Sequence, residues 1–363
     1  MFRIRVIGLF LTLALSLSAS VRVNEHIVFY SSVDQFGQPI RLSGKISYPA
    51  NKPAKGLILI THYTIGANSE APSSTVTLDA KPFRKDYALV IPDYIGYGVT
   101  RDSFPPYLDG ELTARNCVDM LVVARDVLDS LQVRLPSDSI YVVGFSQGGA
   151  ASLWTLRLLE EQYADRFPVK KCFAGSGPYD VAATYDEAVS TNRVGLAMTV
   201  PLLVMGTSVA YGLNLQRGDF LTPRLDEMVD EYIASKNYNI GALFCAMPGM
   251  KLNQWMTANG MDKTHPETQR LYAGLLRSSL VHYPLENDPL GGDVVCPNWT
   301  PKTPVYVFHS TTDNVVSFVN AEHLERCWHD VPTVTWHLGD YGDHLQSMNK
   351  FLLSVRKQLK RTK

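Results

Sequence analysis

Apolar residues in this chain fall into short continuous runs separated by segments with helical periodicity. Runs at 56–61, 87–92 and 140–143 are apolar throughout or nearly so and rich in β-branched residues, which is typical of strands buried on both faces of a sheet. Further strands are predicted at 171–176, 304–308 and 334–338, and residues 26–48 resemble a hairpin around a polar turn at 34–37.

Helical patterns alternate with these strands. Residues 112–131 place apolar side chains at intervals of three and four, which predicts an amphipathic helix. Further helices are predicted after Ser146, over 317–328 and from His344 onward. This alternation predicts an α/β fold: a mostly parallel, doubly wound sheet with helices on both faces.

One interval does not fit the alternation. The roughly 120 residues between the strands at 171 and 304 are too many for a structureless loop, and they contain helical patterns at 224–235 and 267–281. We therefore predict a mostly helical cap, inserted between two parts of a sheet domain. The predicted divisions are a core over 21–180, the cap over 181–303 and the rest of the core over 304–363.

The N-terminus resembles a targeting segment. Arg3 and Arg5 precede an apolar run at 6–17, and small residues at 18–20 would suit cleavage. The run is too short to span a bilayer comfortably. We expect a signal peptide over 1–20 and an exported protein, secreted or periplasmic; the alternative is a retained membrane anchor.

Composition narrows the class of protein. Apolar residues make up 45% of the 363 residues and charged residues 19%, which favours a folded core over disorder. The net charge of −1 gives no broad surface for nucleic acid. The five cysteines are too scattered for a disulfide framework and lack metal-ligand spacing. Cys245 with Cys296 is the first pairing to test, although the sequence leaves the connectivity open.

The chemistry begins at Gly144-Phe145-Ser146-Gln147-Gly148, between the strand at 140–143 and a helical pattern. A Gly-x-Ser-x-Gly turn in that context is typical of a nucleophile elbow, which exposes a strained serine at the carboxyl edge of a parallel sheet. A serine hydroxyl needs a neighbouring base, and the base needs an acid to orient it.

The loops after the last two predicted strands supply both partners. Asp313 follows 304–308 and is the candidate acid, while His344 follows 334–338 and is the candidate base. The order Ser, Asp, His along the chain is the order of this architecture. Asp180, after the preceding strand, is the rival acid.

An oxyanion intermediate requires preorganised N–H donors. The backbone amide of Gln147, at the predicted helix start, is one candidate. The second donor is expected in the loop after 56–61, where the Tyr63 amide is preferred and Thr64 is the alternative.

These residues resemble the α/β-hydrolase superfamily over nearly the whole mature chain. Within it, the segments 30–34 (Tyr-Ser-Ser-Val-Asp), 43–45 (Ser-Gly-Lys) and 92–98 (Pro-Asp-Tyr-Ile-Gly-Tyr-Gly) resemble the secretory lipases, known from fungal lipases of the A type and bacterial relatives. The large helical insertion also fits. The resemblance implies a Ser146–Asp313–His344 triad, whereas the loop at 62–65 departs from the glycine- or aspartate-bearing versions of the family.

The sequence thus predicts an exported serine esterase or lipase that acts through an acyl-enzyme, with no metal or organic cofactor. Its partner would be a small-molecule ester or one linked to lipid or polysaccharide, with no nucleic acid and no membrane span after signal cleavage. A prolyl-type exopeptidase on the same fold and a non-catalytic binding protein are the alternatives. Acyl length, cap motion and oligomeric state stay open.

Overall fold

The computed structural model describes residues 21–136, 139–282 and 295–361. The expected signal peptide at 1–20 lies outside these described residues. The strands are β1 (Val23–Val33), β2 (Pro39–Pro49), β3 (Leu57–Thr61), β4 (Ala88–Pro92), β5 (Ile140–Phe145), β6 (Val169–Gly175), β7 (Arg193–Leu196), β8 (Pro248–Lys251), β9 (Val305–Ser310) and β10 (Val334–Gly339).

Helices connect most of these strands. They are α1 (Gly110–Ser130), α2 (Gln147–Gln162), α3 (Val181–Thr191), α4 (Thr199–Tyr211), α5 (Arg217–Phe220), α6 (Pro223–Met228), α7 (Ile240–Ala246), α8 (Ala258–Met261), α9 (Pro266–Ser278), α10 (Val319–Trp328) and α11 (His344–Arg361). None of the helices in the described ranges is long and apolar enough to cross a membrane.

Eight strands form one sheet in the order β1-β2-β4-β3-β5-β6-β9-β10. The strands from β4 to β10 in that order run parallel, and the β1–β2 hairpin joins β4 antiparallel at one edge. The predicted fold class, a mostly parallel α/β sheet, is confirmed. It places the carboxyl ends of β5, β9 and β10 at one edge, where ligands bind in open α/β sheets.

The core lies on both faces of the sheet because successive side chains of a strand point to opposite sides. In β3, Leu57 and Leu59 pack in the cluster that includes α1 and α2, whereas Ile58 and Ile60 pack in the cluster that includes α11. Both layers are fully buried, which explains why β3 is a continuous apolar run in the sequence.

The chain between β6 and β9 forms a second layer over the sheet edge. It contains α3 to α9 and the small β7–β8 sheet, and it has its own buried cluster around Phe220, Trp255 and Tyr272. The helix predicted at 224–235 is present as α6 continuing into a π-helical turn, Val229–Ala234, and the one predicted at 267–281 as α9. Most aromatic residues of this segment belong to its core, and residues 283–294 lie outside the description.

The expected Cys245–Cys296 pairing is wrong. Cys296 is bonded to Cys327 at the end of α10, and Cys245 is exposed and free. The chain after Cys296 returns along the core, where the Trp299 indole donates to Glu160 at 2.9 Å and packs edge-on against Trp328. This return path brings Cys296 next to α10, which follows the insertion in the sequence.

Candidate active site

Ser146 stands in a strained turn between β5 and α2. Its φ of 59° and ψ of −128° lie outside the regions that non-glycine residues favour, and such strain clusters at functional sites. The turn is tight: a Cβ on Gly148 would lie 1.9 Å from the Thr61 carbonyl oxygen of β3. A hydrogen bond of 2.9 Å from the Ser146 amide to Gly175 O fixes the turn to β6.

Ser146, His344 and Asp313 lie in one continuous hydrogen-bonded chain. The Ser146 Oγ is 2.9 Å from His344 Nε2, and His344 Nδ1 is 2.7 Å from Asp313 Oδ2. Ser146 and His344 are both buried, and less than a tenth of the surface of each is exposed. In the neutral tautomer with a proton on Nδ1, the imidazole donates to the carboxylate and Nε2 accepts the serine proton.

The surroundings of Asp313 favour its charged form. Burial by itself would raise the pKa of the carboxyl, but the His344 hydrogen bond, the nearby charges of His344 and His309 and the Val315 amide together hold that pKa below its usual value. The other oxygen, Oδ1, accepts from the amides of Val315 and Val316 at 3.0 and 2.9 Å. Asp313 therefore stays ionised and correctly aimed at the imidazole.

The loops that carry the acid and the base are bonded to each other. Ser310 at the end of β9 donates to Gly342 O at 2.7 Å and accepts from the Tyr341 amide at 3.0 Å. The His344 amide donates to the Asn314 side chain at 3.2 Å. These bonds hold the start of α11 beside Asp313.

The candidate oxyanion donors differ in whether their amides already have a hydrogen-bond acceptor. The Gln147 amide is at the N-terminus of α2, where amides have no intrahelical partner. The Tyr63 amide instead donates to the buried Asp79 carboxylate at 3.3 Å. Within the described chain the Thr64 amide has no acceptor, and the Thr64 hydroxyl is 2.8 Å from Tyr107 Oη. Within this loop, the Tyr63 amide is therefore occupied by Asp79, and the Thr64 amide is free to donate.

Asp180, the rival acid, serves another pair of histidines. Its Oδ2 is 2.7 Å from His323 Nδ1, and its Oδ1 is 3.4 Å from His282 Nδ1. Oδ1 also accepts from the Ala183 amide at 2.8 Å and so caps α3. Asp180 is fully buried at the start of α3, where the chain passes from the sheet into the insertion.

Two narrow cavities are lined in part by Gln147, the residue after Ser146. They share Gln147 and Thr113; one runs past Tyr107 and Tyr97, and the other runs between α1, α2 and α9 past Asp109. Sequence reasoning missed Tyr107 and Asp109. The Asp-Gly at 109–110 marks the start of a helix, but nothing in the sequence indicates that it faces a cavity.

Comparisons with known proteins support the same fold. The model of the family described as secretory lipase matches residues 71–349. No protein with a curated description matches the sequence significantly. The rice cell wall degrading esterase LipA from Xanthomonas oryzae aligns with a TM-score of 0.76 at 20% identity, covering 93% of this chain and 88% of that one. Candida antarctica lipase A in its closed state aligns with a TM-score of 0.65 at 15% identity, covering 94% and 78%. At these identities, both structures support the fold alone.

Proposed function

The chain belongs to the secretory lipase family and is a carboxylic ester hydrolase; we propose that it cleaves its ester through an acyl-enzyme on Ser146. The observation that carries this proposal is the hydrogen-bonded chain from Ser146 Oγ through His344 to Asp313. A bare serine hydroxyl is a poor nucleophile near neutral pH, and this arrangement supplies the base and its orienting acid.

In the proposed first half-reaction, Ser146 Oγ attacks the ester carbonyl carbon while its proton passes to His344 Nε2. The carbonyl oxygen becomes an oxyanion, which the amides of Gln147 and Thr64 would stabilise. Asp313 stabilises the imidazolium that forms without taking its proton. The tetrahedral intermediate then expels the alkoxide, which leaves as the alcohol with the proton from Nε2.

The second half-reaction repeats these steps with water. His344 Nε2 takes a proton from water as its oxygen attacks the acyl carbonyl, and the collapsing intermediate releases the acid and returns the proton to Ser146 Oγ. After both half-reactions, Ser146, His344 and Asp313 have the same protons and charges as at the start. The proposed role of the insertion over 181–303 is to enclose the ester, because it covers the sheet edge where Ser146 lies.

Replacement of the nucleophile tests the proposal. Ser146→Ala is expected to stay folded and to lose at least about 10⁴-fold in kcat on p-nitrophenyl butyrate. Ser176→Ala is a matched control: Ser176 follows the neighbouring strand β6, has a φ of 39°, and is buried, and its Oγ has no hydrogen-bond partner among the described residues. That variant should keep its activity. Wild-type turnover in Ser146→Ala, or a fluorophosphonate probe bound at another residue, would refute the assignment.

Export is a separate proposal, supported by the N-terminal pattern and by the secretory family. If it is correct, protein recovered outside the expressing cytoplasm should begin near residue 21 when its N-terminus is sequenced. Mature protein that retains residues 1–20 would instead favour the membrane anchor.

A further inference from the structure

The cavity between α1, α2 and α9 carries two polar atoms, Asp109 Oδ2 and Trp154 Nε1, that neither the proposed chemistry nor the fold uses. It is lined by Asp109, Gly110 and Thr113 from the start of α1, by Gln147 and Trp154 from α2, and by Ser278 from α9. It therefore lies between the sheet domain and the insertion, beside the residue that follows Ser146. There is room for roughly one water-sized group.

Asp109 presents a carboxylate oxygen with no partner. Its Oδ1 accepts from the Leu112 amide at 3.1 Å and caps α1, but within the described residues its Oδ2 makes no hydrogen bond or ion pair. Asp109 as a whole is only 8% exposed, and Oδ2 is not sealed from solvent, so it is open to the cavity. Burial raises the pKa of Asp109 to about 6, with the Glu111 charge adding to the rise and Arg277 and the Leu112 amide opposing it. Near neutral pH the carboxylate is ionised and needs a donor.

Trp154 presents an unpaired donor to the same space. A Cβ on Gly110 would lie 2.1 Å from the Trp154 Nε1, so only glycine lets the indole edge approach the end of α1 this closely. Trp154 as a whole is only 7% exposed, and its Nε1–H group has no acceptor among the described residues; Nε1 is not sealed from solvent, so it is open to the cavity. An indole nitrogen can only donate.

An acceptor and a donor facing one small cavity fit a hydroxyl group. A hydroxyl can donate to Asp109 Oδ2 and accept from Trp154 Nε1, whereas an ammonium group would satisfy the carboxylate and leave the indole unpaired. An alkyl group would displace water from both groups and leave them unpaired, at a cost in binding. We propose that this cavity is a specificity subsite for a hydroxyl group of the ester, carried on its acyl chain or on its alcohol; the inference rests on the proposed function.

The test compares kcat/KM for four esters by titration of the released acid: methyl butyrate, methyl 3-hydroxybutyrate, glycerol 1-butyrate and methyl 3-aminobutyrate. A site built to bond a hydroxyl rejects the analogue without it. Wild-type protein should therefore prefer one of the two hydroxylated esters over methyl butyrate by about tenfold or more. The two hydroxylated esters distinguish an acyl source from an alcohol source.

Three variants locate the preference. Asp109→Ser keeps a helix-capping oxygen but is too short to supply Oδ2, and the ratio of hydroxylated to plain ester should fall toward one. Trp154→Phe removes the indole donor and should lower the ratio in part. Asn239→Ser exchanges another capping residue, on α7 and outside both cavities, and should keep the wild-type ratio.

The outcomes separate this proposal from the one on which it rests. A wild-type ratio near one for both hydroxylated esters, or a ratio unchanged in Asp109→Ser, overturns the subsite. A preference for the amino ester that disappears in Asp109→Ser replaces the hydroxyl with an ammonium group. If wild-type protein hydrolyses none of the four esters and Ser146 does not react with a fluorophosphonate, the proposed function itself fails.

Discussion

Two buried aspartates in this protein each hold a histidine Nδ1 at 2.7 Å, and their surroundings give them different roles. Asp313 bonds His344, whose other nitrogen reaches Ser146. Asp180 bonds His323 and caps α3 at the junction of sheet and insertion. Both follow a strand of the sheet in the sequence, so strand position by itself leaves the acid open between them.

Parallel asparagine variants distinguish the two carboxylates. Asp313→Asn should lower kcat by about 10³- to 10⁴-fold, because a neutral amide neither fixes the imidazole tautomer nor stabilises its charge. Asp180→Asn should lower the free energy of unfolding by about 2 kcal/mol, because an amide has a single oxygen to accept from His323, His282 and the Ala183 amide and leaves a buried group unpaired, while kcat stays near wild type. Ester turnover and urea unfolding measure the two effects. The reverse pattern would make Asp180 the acid.

In the loops around the site, the sequence also leaves the partners of single residues undecided. The sequence predicts a second oxyanion donor after β3 and prefers Tyr63, but the Tyr63 amide is bonded to Asp79, a residue 16 positions along the chain. No local pattern reveals this contact. The assignment of Ser146, Asp313 and His344 to catalysis stays a prediction until the variants are measured.

At the scale of elements, the elbow depends on close backbone contact between α2 and β3. The start of α2 lies against the end of β3, where the Thr61 hydroxyl donates to Gly148 O at 2.8 Å. The strands themselves could be predicted because their apolar runs are continuous and buried on both faces. The short helices α5, α7 and α8 and the β7–β8 pair could not, because four to seven residues carry too little periodicity.

Glycine substitutions test the elbow packing. Gly148→Ala would bring a Cβ to 1.9 Å from Thr61 O, so we expect β3 and α2 to separate, with a loss of about 2 kcal/mol or more in unfolding free energy and a large loss of turnover. Gly218→Ala is the control. It lies in helix α5, where no described atom beyond its own helical turn comes within 4 Å of the added Cβ, and it should be neutral or stabilising by about 0.5 kcal/mol. Equal stability losses in the two variants would contradict this account.

At the scale of the whole molecule, the insertion is fastened to the core at several points. Glu70 Oε2, in the loop after β3, accepts from the Ile240 amide of α7 at 2.9 Å. The Lys236 ammonium donates to Arg101 O at 2.6 Å and to Ser103 O. Between Cys296 and β9, near the Cys296–Cys327 bond, the Thr303 amide donates a hydrogen bond of 2.6 Å to the Glu160 carboxylate.

Removal of the disulfide tests its contribution. The bond closes a loop with a sequence separation of 31, for which chain entropy predicts a stabilisation of about 3–4 kcal/mol. The double variant Cys296→Ser/Cys327→Ser should lose about this amount in denaturant unfolding, and reductant should give wild-type protein the same loss. Cys245→Ser, at an exposed free thiol, should change nothing. If Cys327→Ser alone kept wild-type stability while Cys245→Ser lost as much as the double variant, the Cys245–Cys296 pairing first expected would be restored.

The sequence by itself determined the α/β order of elements and the positions of the candidate nucleophile, acid and base. These are local properties: continuous apolar runs define the strands, and the chemistry follows the strand ends. Tertiary structure alone decided which amide stays free after β3, which histidine each aspartate holds, which cysteine Cys296 meets, and that Asp109 and Trp154 face one cavity. Each of those depends on where distant segments pack, and packing between distant segments leaves no periodic signal along the chain.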